Sequence, residues 1–229
     1  MFIKRQEMQP GMEQTSFFHG ATQDLFGLLG NATVTQRLKA GETLFEQNDH
    51  DDRLYVLDEG TLEVSVYSPS GRKFSLNRLG PESVFGEIAI FDPGPRTAGI
   101  AAITPCKLRY IRQSALIARI EQDPKIAVEL LSLAGRRMRW MGSQIEDQVF
   151  LPPAARLAAK ILYLSSDAGE VKMSQADLAD FVGVSREVVS KTLSEWRREG
   201  MVDLARGRIM LRDVDALYKL KNTYFSDIV

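Results

Sequence analysis

Apolar and polar positions change rhythm several times along the chain. Over Ala21–Leu29, Leu25, Leu28 and Leu29 recur at helical spacing and Gly30-Asn31 supplies a stop, so a short helix is expected after a polar arm over 1–20. From Thr33 to about Arg112 the pattern turns to short β-rich segments, such as Leu54-Tyr55-Val56-Leu57 and Leu62-Glu63-Val64-Ser65-Val66-Tyr67. They are broken by Gly41, Asp58-Glu59-Gly60, Ser70-Gly71 and Gly80-Pro81. Turns at such regular intervals predict an antiparallel roll or barrel, within a domain spanning 21–122.

Between Asp123 and Val149 the period becomes helical again. Ala127, Leu131, Ala134, Met138, Met141 and Ile145 fall at alternating four- and three-residue steps, a narrow seam suited to one helix packing along its symmetry mate. Arg136, Arg137, Arg139, Glu146 and Asp147 are then expected on the solvated flank. The alternative is an amphipathic helix buried on its own domain. Leu151-Pro152-Pro153 ends the segment, because the residue before a proline is pushed out of the α region and a second proline suits the first turn of a new helix. A dimerisation helix and hinge over 123–150, then a separate domain over 151–229, are expected.

In that last domain Ala154–Ser165 reads as a helix, and Met173–Gly200 holds two more. Ser174 with Asp177 makes a capping-box pattern, Ser185 can cap the second helix, and Gly183 between them permits a left-handed turn. Leu178, Phe181, Val189, Leu193 and Trp196 are spaced so that both helices share one core. That is a helix-turn-helix, and the hairpin expected over Val202–Leu211 around Arg206-Gly207-Arg208 adds a wing. The fold class is α+β: a β-roll, a long helix and a winged helix-turn-helix.

Composition narrows the chemistry more than it points to a partner. The 229 residues carry 29 basic and 30 acidic side chains, so nucleic-acid binding has to rest on local pattern. The single cysteine, Cys106, excludes an internal disulfide or a four-cysteine cluster and reads as a buried inert thiol. No secretion signal or apolar run of membrane-spanning length is present in the sequence, and a soluble cytoplasmic protein is expected. Asp49-His50-Asp51-Asp52 superficially resembles a metal cluster for phosphoester hydrolysis. With His19 the only other histidine, it reads as a polar turn, and no metal and no enzymatic activity are expected.

The start of the second helix exposes Arg186 and Glu187, and one turn later Ser190 and Lys191, where such a helix meets base edges in the major groove of double-stranded DNA. Arginine and lysine suit guanine, and a carboxylate accepts from cytosine N4. The plainer reading is an exposed i,i+4 pair of Glu187 with Lys191. Ser174, Gln175 and Ser185, at helix N-termini, suit phosphates or simple capping, and Arg206 and Arg208 suit the DNA backbone.

The sharpest motif is Phe85-Gly86-Glu87-Ile88-Ala89-Ile90-Phe91-Asp92-Pro93-Gly94-Pro95-Arg96-Thr97-Ala98. Gly86 at a helix start lets backbone N–H groups approach an anion, and Arg96 with the Thr97 hydroxyl can return to the same place after the turn. Glu87 suits a ribose 2′-hydroxyl. The set asks for one sugar and one phosphate held together, as in a cyclic nucleotide; an Arg96–Glu87 ion pair is the structural alternative.

In these residues the chain resembles the bacterial catabolite activator protein (CRP/FNR) family from about Leu25 to Leu217. The resemblance rests on Gly41, Gly60 and Gly80, on Gly86-Glu87 with Arg96-Thr97, on the long helix, and on Ser185-Arg186-Glu187 followed by Lys191. It implies a homodimer in which bound ligand reorients the DNA domains about Phe150-Leu151-Pro152 for palindromic half-sites similar to TGTGA, with RNA polymerase as a further partner. It also implies cyclic AMP as ligand. Members that bind cyclic AMP present a Thr-Ser or Thr-Asn pair to the adenine, and here Met141-Gly142 stand in that place with Ser143 adjoining. Cyclic GMP and cyclic di-GMP are the alternatives, while haem and iron-sulfur sensing lack their ligands. A cyclic-nucleotide module acting on a protein partner is the reading from another class.

Overall fold

The computed structural model describes residues 33–226. The arm over 1–20 and the helix expected over Ala21–Leu29 lie outside them. The described chain falls into two compact units, one reaching to Met141 and the other starting at Gly142.

The first unit is the antiparallel roll that the turn spacing predicts. Its strands are β1 (Val34–Leu38), β2 (Thr43–Phe45), β3 (Arg53–Glu59), β4 (Leu62–Tyr67), β5 (Lys73–Leu79), β6 (Val84–Phe85), β7 (Gly99–Ala102) and β8 (Cys106–Arg112). They make two four-stranded sheets, ordered β1-β8-β3-β6 and β2-β7-β4-β5. The first and last strands pair along their length, Val34 opposite Tyr110 and Leu38 opposite Cys106. Tyr55, Leu57, Leu62, Leu79, Phe85 and Leu108 fill the interior. Each such buried side chain contributes about 1.5–3 kcal/mol of transfer free energy.

The continuous apolar run Leu54–Leu57 has a physical cause: β3 is covered on both faces. Tyr55 and Leu57 point into the roll. Leu54 and Val56 pack outward against α1 (Ile88–Phe91), α2 (Gln113–Gln122) and the first half of α3 (Lys125–Phe150), through Ile90, Leu116, Ile126, Leu130 and Leu133. Gly60, at φ +96°, closes the β3–β4 turn so tightly that a Cβ there would lie 2.4 Å from the carbonyl oxygen of Pro105. The Cys106 thiol is buried against the Thr61 and Thr104 carbonyls, and burial pushes its pKa up, as suits an unreactive core residue.

The helix α3 presents two apolar faces. Ile126, Leu130 and Leu133 are buried on the roll, whereas Leu131, Met138 and Ile145 of the sequence seam are 63%, 63% and 64% exposed. One expectation fails here. Arg137 does not stand on a solvated flank: it continues the inward series of Ile126, Leu130 and Leu133, and its guanidinium turns back into the roll to meet Glu87.

In the second unit α4 (Pro153–Leu164) begins with proline in its first turn, followed by β9 (Glu170–Val171), α5 (Gln175–Val182), α6 (Arg186–Arg198), β10 (Val202–Ala205), β11 (Arg208–Leu211) and α7 (Val214–Ser226). Leu157, Ile161, Leu178, Phe181, Val189, Leu193, Trp196, Ile209 and Leu217 form one core. The expected hairpin β10–β11 turns at Gly207, φ +70°, and β9 adds a third strand in the order β10-β11-β9. Arg156 donates to the carbonyls of Gln148 and Leu151 at 3.3 and 3.1 Å, meeting acceptors that the end of α3 leaves without intrahelical partners. Among the described residues no helix is long and apolar enough to cross a membrane.

Candidate functional site

The residues of the Gly86–Thr97 motif converge at one end of the roll. Gly86 stands at φ +89° immediately after β6, and Glu87 is the N-cap of the single-turn helix α1. The chain then returns through Pro95, bridged to His50, so that Arg96 reaches back beneath Gly86. Its Nη1 donates to the Gly86 carbonyl at 3.2 Å and its Nη2 to the Arg53 carbonyl at 2.7 Å. Thr97 beside it is exposed.

The expected alternative pair of Arg96 with Glu87 does not form, and each residue has a different partner. Arg96 Nη2 lies 2.9 Å from Asp51 Oδ2, with both side chains about 95% buried. Its guanidinium also lies 4.4 Å from the centroid of the Phe45 ring. Glu87 instead accepts from Arg137 of α3, which also donates to the Val84 carbonyl.

Asp51 is the residue that sequence reasoning passed over. Read as one acid in a polar turn, it is the hub of the arrangement. It accepts from Arg53 Nε at 2.6 Å and from the Tyr55 hydroxyl at 2.8 Å in addition to Arg96. Burial acts to raise its pKa, but hydrogen bonds from Arg53, Arg96 and Tyr55 outweigh that and hold the carboxyl below the usual carboxylate range. Burial, then the Asp51 carboxylate, pushes the Tyr55 phenol well above its ordinary value. Among the described residues no group of three or more His, Cys, Asp or Glu side chains is arranged to hold a metal ion.

The cradle suits a phosphate ester on observable grounds. Arg96 Nε is buried and has no hydrogen-bond partner among the described residues. Gly86 removes the side chain that would stand between this arginine and the backbone. Met141, Gly142 and Ser143 follow one another on α3, the first two exposed and the third half-buried.

In the second unit the Ser174 hydroxyl accepts from the Asp177 N–H at 3.1 Å and the Ser185 hydroxyl from the Val188 N–H at 3.4 Å, so both predicted caps are present. Gly183 at φ +75° makes the left-handed turn between α5 and α6. Burial of Val189, Leu193 and Trp196 turns the opposite face of α6 outward, leaving Arg186, Glu187 and Lys191 exposed and Ser190 half-buried. Glu187 folds back onto its own N–H and the Ser185 hydroxyl, which hold its carboxyl below the usual range.

Ser174, Gln175, Arg186, Arg206 and Arg208 line one open cleft of about 500 Å³ between the start of α5, the start of α6 and the wing. Arg208 lies 3.3 Å from Glu170 at its rim. The cleft therefore gathers donors from three separate elements, the arrangement a polyanion backbone requires.

Comparison with known proteins matches both units. A family model for the cyclic nucleotide-binding domain covers residues 35–123, and one for the Crp-like helix-turn-helix domain covers residues 155–220. A CRP-like cAMP-activated global transcriptional regulator of Mycobacterium tuberculosis is 28% identical over 215 residues, spanning 90% of this chain and 96% of the relative. A solved transcriptional regulator of the CRP/FNR family from Thermus thermophilus is 25% identical, with a TM-score of 0.71 over 83% of this chain and 100% of that one. The c-di-GMP responsive global regulator CLP of Xanthomonas campestris, 19% identical with a TM-score of 0.74 over 82% of this chain and 98% of its own, shares the fold.

Proposed function

Since the chain belongs to the CRP/FNR family of transcription regulators, carrying a cyclic nucleotide-binding domain and a Crp-like helix-turn-helix, we propose that cyclic AMP is its ligand and switches a homodimer for palindromic DNA. The observation that carries this reading is the close approach of Arg96 to Gly86, with a buried Nε–H left for a phosphate oxygen. Glu87 accepts from Arg137 through Oε2, and its Oε1 is the oxygen suited to a ribose hydroxyl. Thr97 adds a hydroxyl at the cradle's mouth.

The division of labour follows the expected domains: ligand in the roll over 21–122, pairing along 123–150, DNA reading over 151–229. The exposed seam of α3 supports pairing with a second copy. Arg186, Glu187, Ser190 and Lys191 would read bases in TGTGA-like half-sites, while Ser174, Gln175, Ser185, Arg206 and Arg208 hold phosphates. Phe150-Leu151-Pro152 is the hinge about which the DNA units reorient. Such a regulator acts in the cytoplasm and delivers its effect to RNA polymerase.

A second reading changes the ligand: the base alone for cyclic GMP, a dinucleotide for cyclic di-GMP. Met141-Gly142 offer the adenine no side-chain hydroxyl, and Ser143 or an apolar surface at Met141 takes its place; the shared fold of the Xanthomonas regulator, described as c-di-GMP responsive, keeps cyclic di-GMP beside cyclic GMP as the other ligands. Isothermal titration with cyclic AMP, cyclic GMP and cyclic di-GMP, repeated on Arg96→Ala, tests both. Cyclic AMP binding lost in the variant supports the main reading; binding of only another nucleotide selects the second. DNA mobility shift with and without the ligand excludes a purely protein-directed module if the shift depends on it.

A further inference from the structure

The charges around the cradle can be counted. Arg96 and Arg53 bring two positive charges to Asp51, and Asp51 returns one negative charge, at 2.9 and 2.6 Å respectively. Glu87 and Arg137 cancel as a separate pair. The Arg53 guanidinium also lies 5.3 and 5.0 Å from the ring centroids of Tyr55 and Tyr110, and the two arginines and the acid form one connected block. The block carries a net charge of +1.

A cyclic phosphodiester also carries a single charge, negative, whereas a phosphomonoester carries between about 1.5 and 2 negative charges near neutral pH. We propose that Asp51 sets the charge selectivity of the cradle, halving the electrostatic advantage that the two arginines alone would give a doubly charged phosphate ester over a singly charged one. The inference rests on the cradle being the cyclic-nucleotide site. Asp51 need not touch the ligand to do this. Its carboxylate, buried on the arginine that would meet the phosphate, offsets one of the two positive charges that a second negative charge would feel, at a partly screened site. Without Asp51 the same arginines would pull harder on the second charge of 5′-AMP, an abundant monoester, and so favour it further over a singly charged signal.

Asp51 here is a positioning and specificity residue, and the test measures a ratio. Affinities for cyclic AMP, cyclic GMP and 5′-AMP are determined on the full chain by titration and by competition, for wild type, Asp51→Asn and Arg53→Met. Asp51→Asn raises the block to +2 and is expected to narrow the preference for the cyclic ester over 5′-AMP by about tenfold, the size of one charge–charge interaction across several ångströms at a partly screened site. Arg53→Met lowers the block to zero and is expected to widen the preference. General loosening of the fold would not move the ratio in opposite directions in the two variants.

An unchanged ratio in Asp51→Asn, with cyclic nucleotide still bound, overturns the inference and leaves the ligand reading intact. Failure of wild type to bind either cyclic mononucleotide overturns both. Should Asp51→Asn not fold, the Arg53→Met ratio decides, and an unchanged value there overturns the proposal.

Discussion

Gly86 and Arg96 leave no room between them: a Cβ built on Gly86 would lie 2.7 Å from Arg96 Nη1 and 2.8 Å from the carbonyl oxygen of Arg53. The left-handed φ of +89° adds strain for any other residue. Gly86→Ala is therefore expected to displace the guanidinium. Loss of a charge-assisted hydrogen bond costs about 1.5–3 kcal/mol, so cyclic AMP affinity should fall by about tenfold or more while the melting of the DNA-binding unit stays put. Wild-type affinity in the calorimeter would show that Arg96 does not hold the ligand from this position.

The Gly86–Arg96 cassette was legible in the sequence because its members are close along the chain and belong to one turn. Asp51 was not, since a buried acid and a solvated one look alike in a polar turn, and its partner Arg96 lies far along the chain on the other side of four strands. Arg137 carried a readable signal: it extends Ile126, Leu130 and Leu133 at the next four-residue step, but the stronger seam of Leu131, Met138 and Ile145 drew attention to the other face. The helix α2 has no side-chain cap, with Arg112 at its N-cap position, and β9 is two residues long, too short for any periodic pattern.

Glu87 and Arg137 are both largely buried, so removing one should strand the other's charge. Arg137→Met is expected to destabilise the roll by about 3 kcal/mol, and the double variant with Glu87→Gln to recover most of that loss. Urea denaturation of the single and double variants gives the coupling. Simple additivity would mean that the pair carries no interaction energy of its own.

The seam of α3 predicts the oligomeric state. Met138 and Ile145 are exposed, so replacing both by Asp should leave the secondary structure unchanged, whereas carboxylates facing each other across a pair of such helices could not be buried together. If two copies pair along this seam, sedimentation velocity should report a dimer for wild type and a monomer for the double variant. A persisting dimer would place the contact on another surface.

Lys160 is buried on α4 with its ammonium on the Gln144 carboxamide, and burial lowers its pKa from 10.5 to about 8, against the opposing pull of Asp147. Between these two values the unfolded chain holds a proton that the folded chain has released. Stability should therefore rise with pH across that window, by an amount on the order of 3 kcal/mol. Below pH 8 both states are charged and the full cost of burying the ammonium is present. Lys160→Met should stabilise the unit near neutral pH and flatten the rise. Identical pH profiles for variant and wild type would mean that water reaches the ammonium.

On α6 the question is whether the Glu187 carboxylate reads a base or only caps its helix. The fold-back onto Ser185 and its own N–H shows that capping is available without DNA, and Lys191, one turn on, is exposed and open to a guanine. The two roles separate by position. A capping carboxylate affects all DNA sequences equally, whereas one that accepts from cytosine N4 matters at one base pair only. Glu187→Gln is thus expected to relax preference at a single position of each half-site by about tenfold in a randomised-site selection, with affinity elsewhere unchanged. If Arg206 holds a phosphate, Arg206→Gln should weaken binding evenly across sequences and reduce the salt slope by about 1. A Glu187→Gln selection profile that matches wild type would leave the carboxylate as a cap and assign base reading to Arg186 and Lys191.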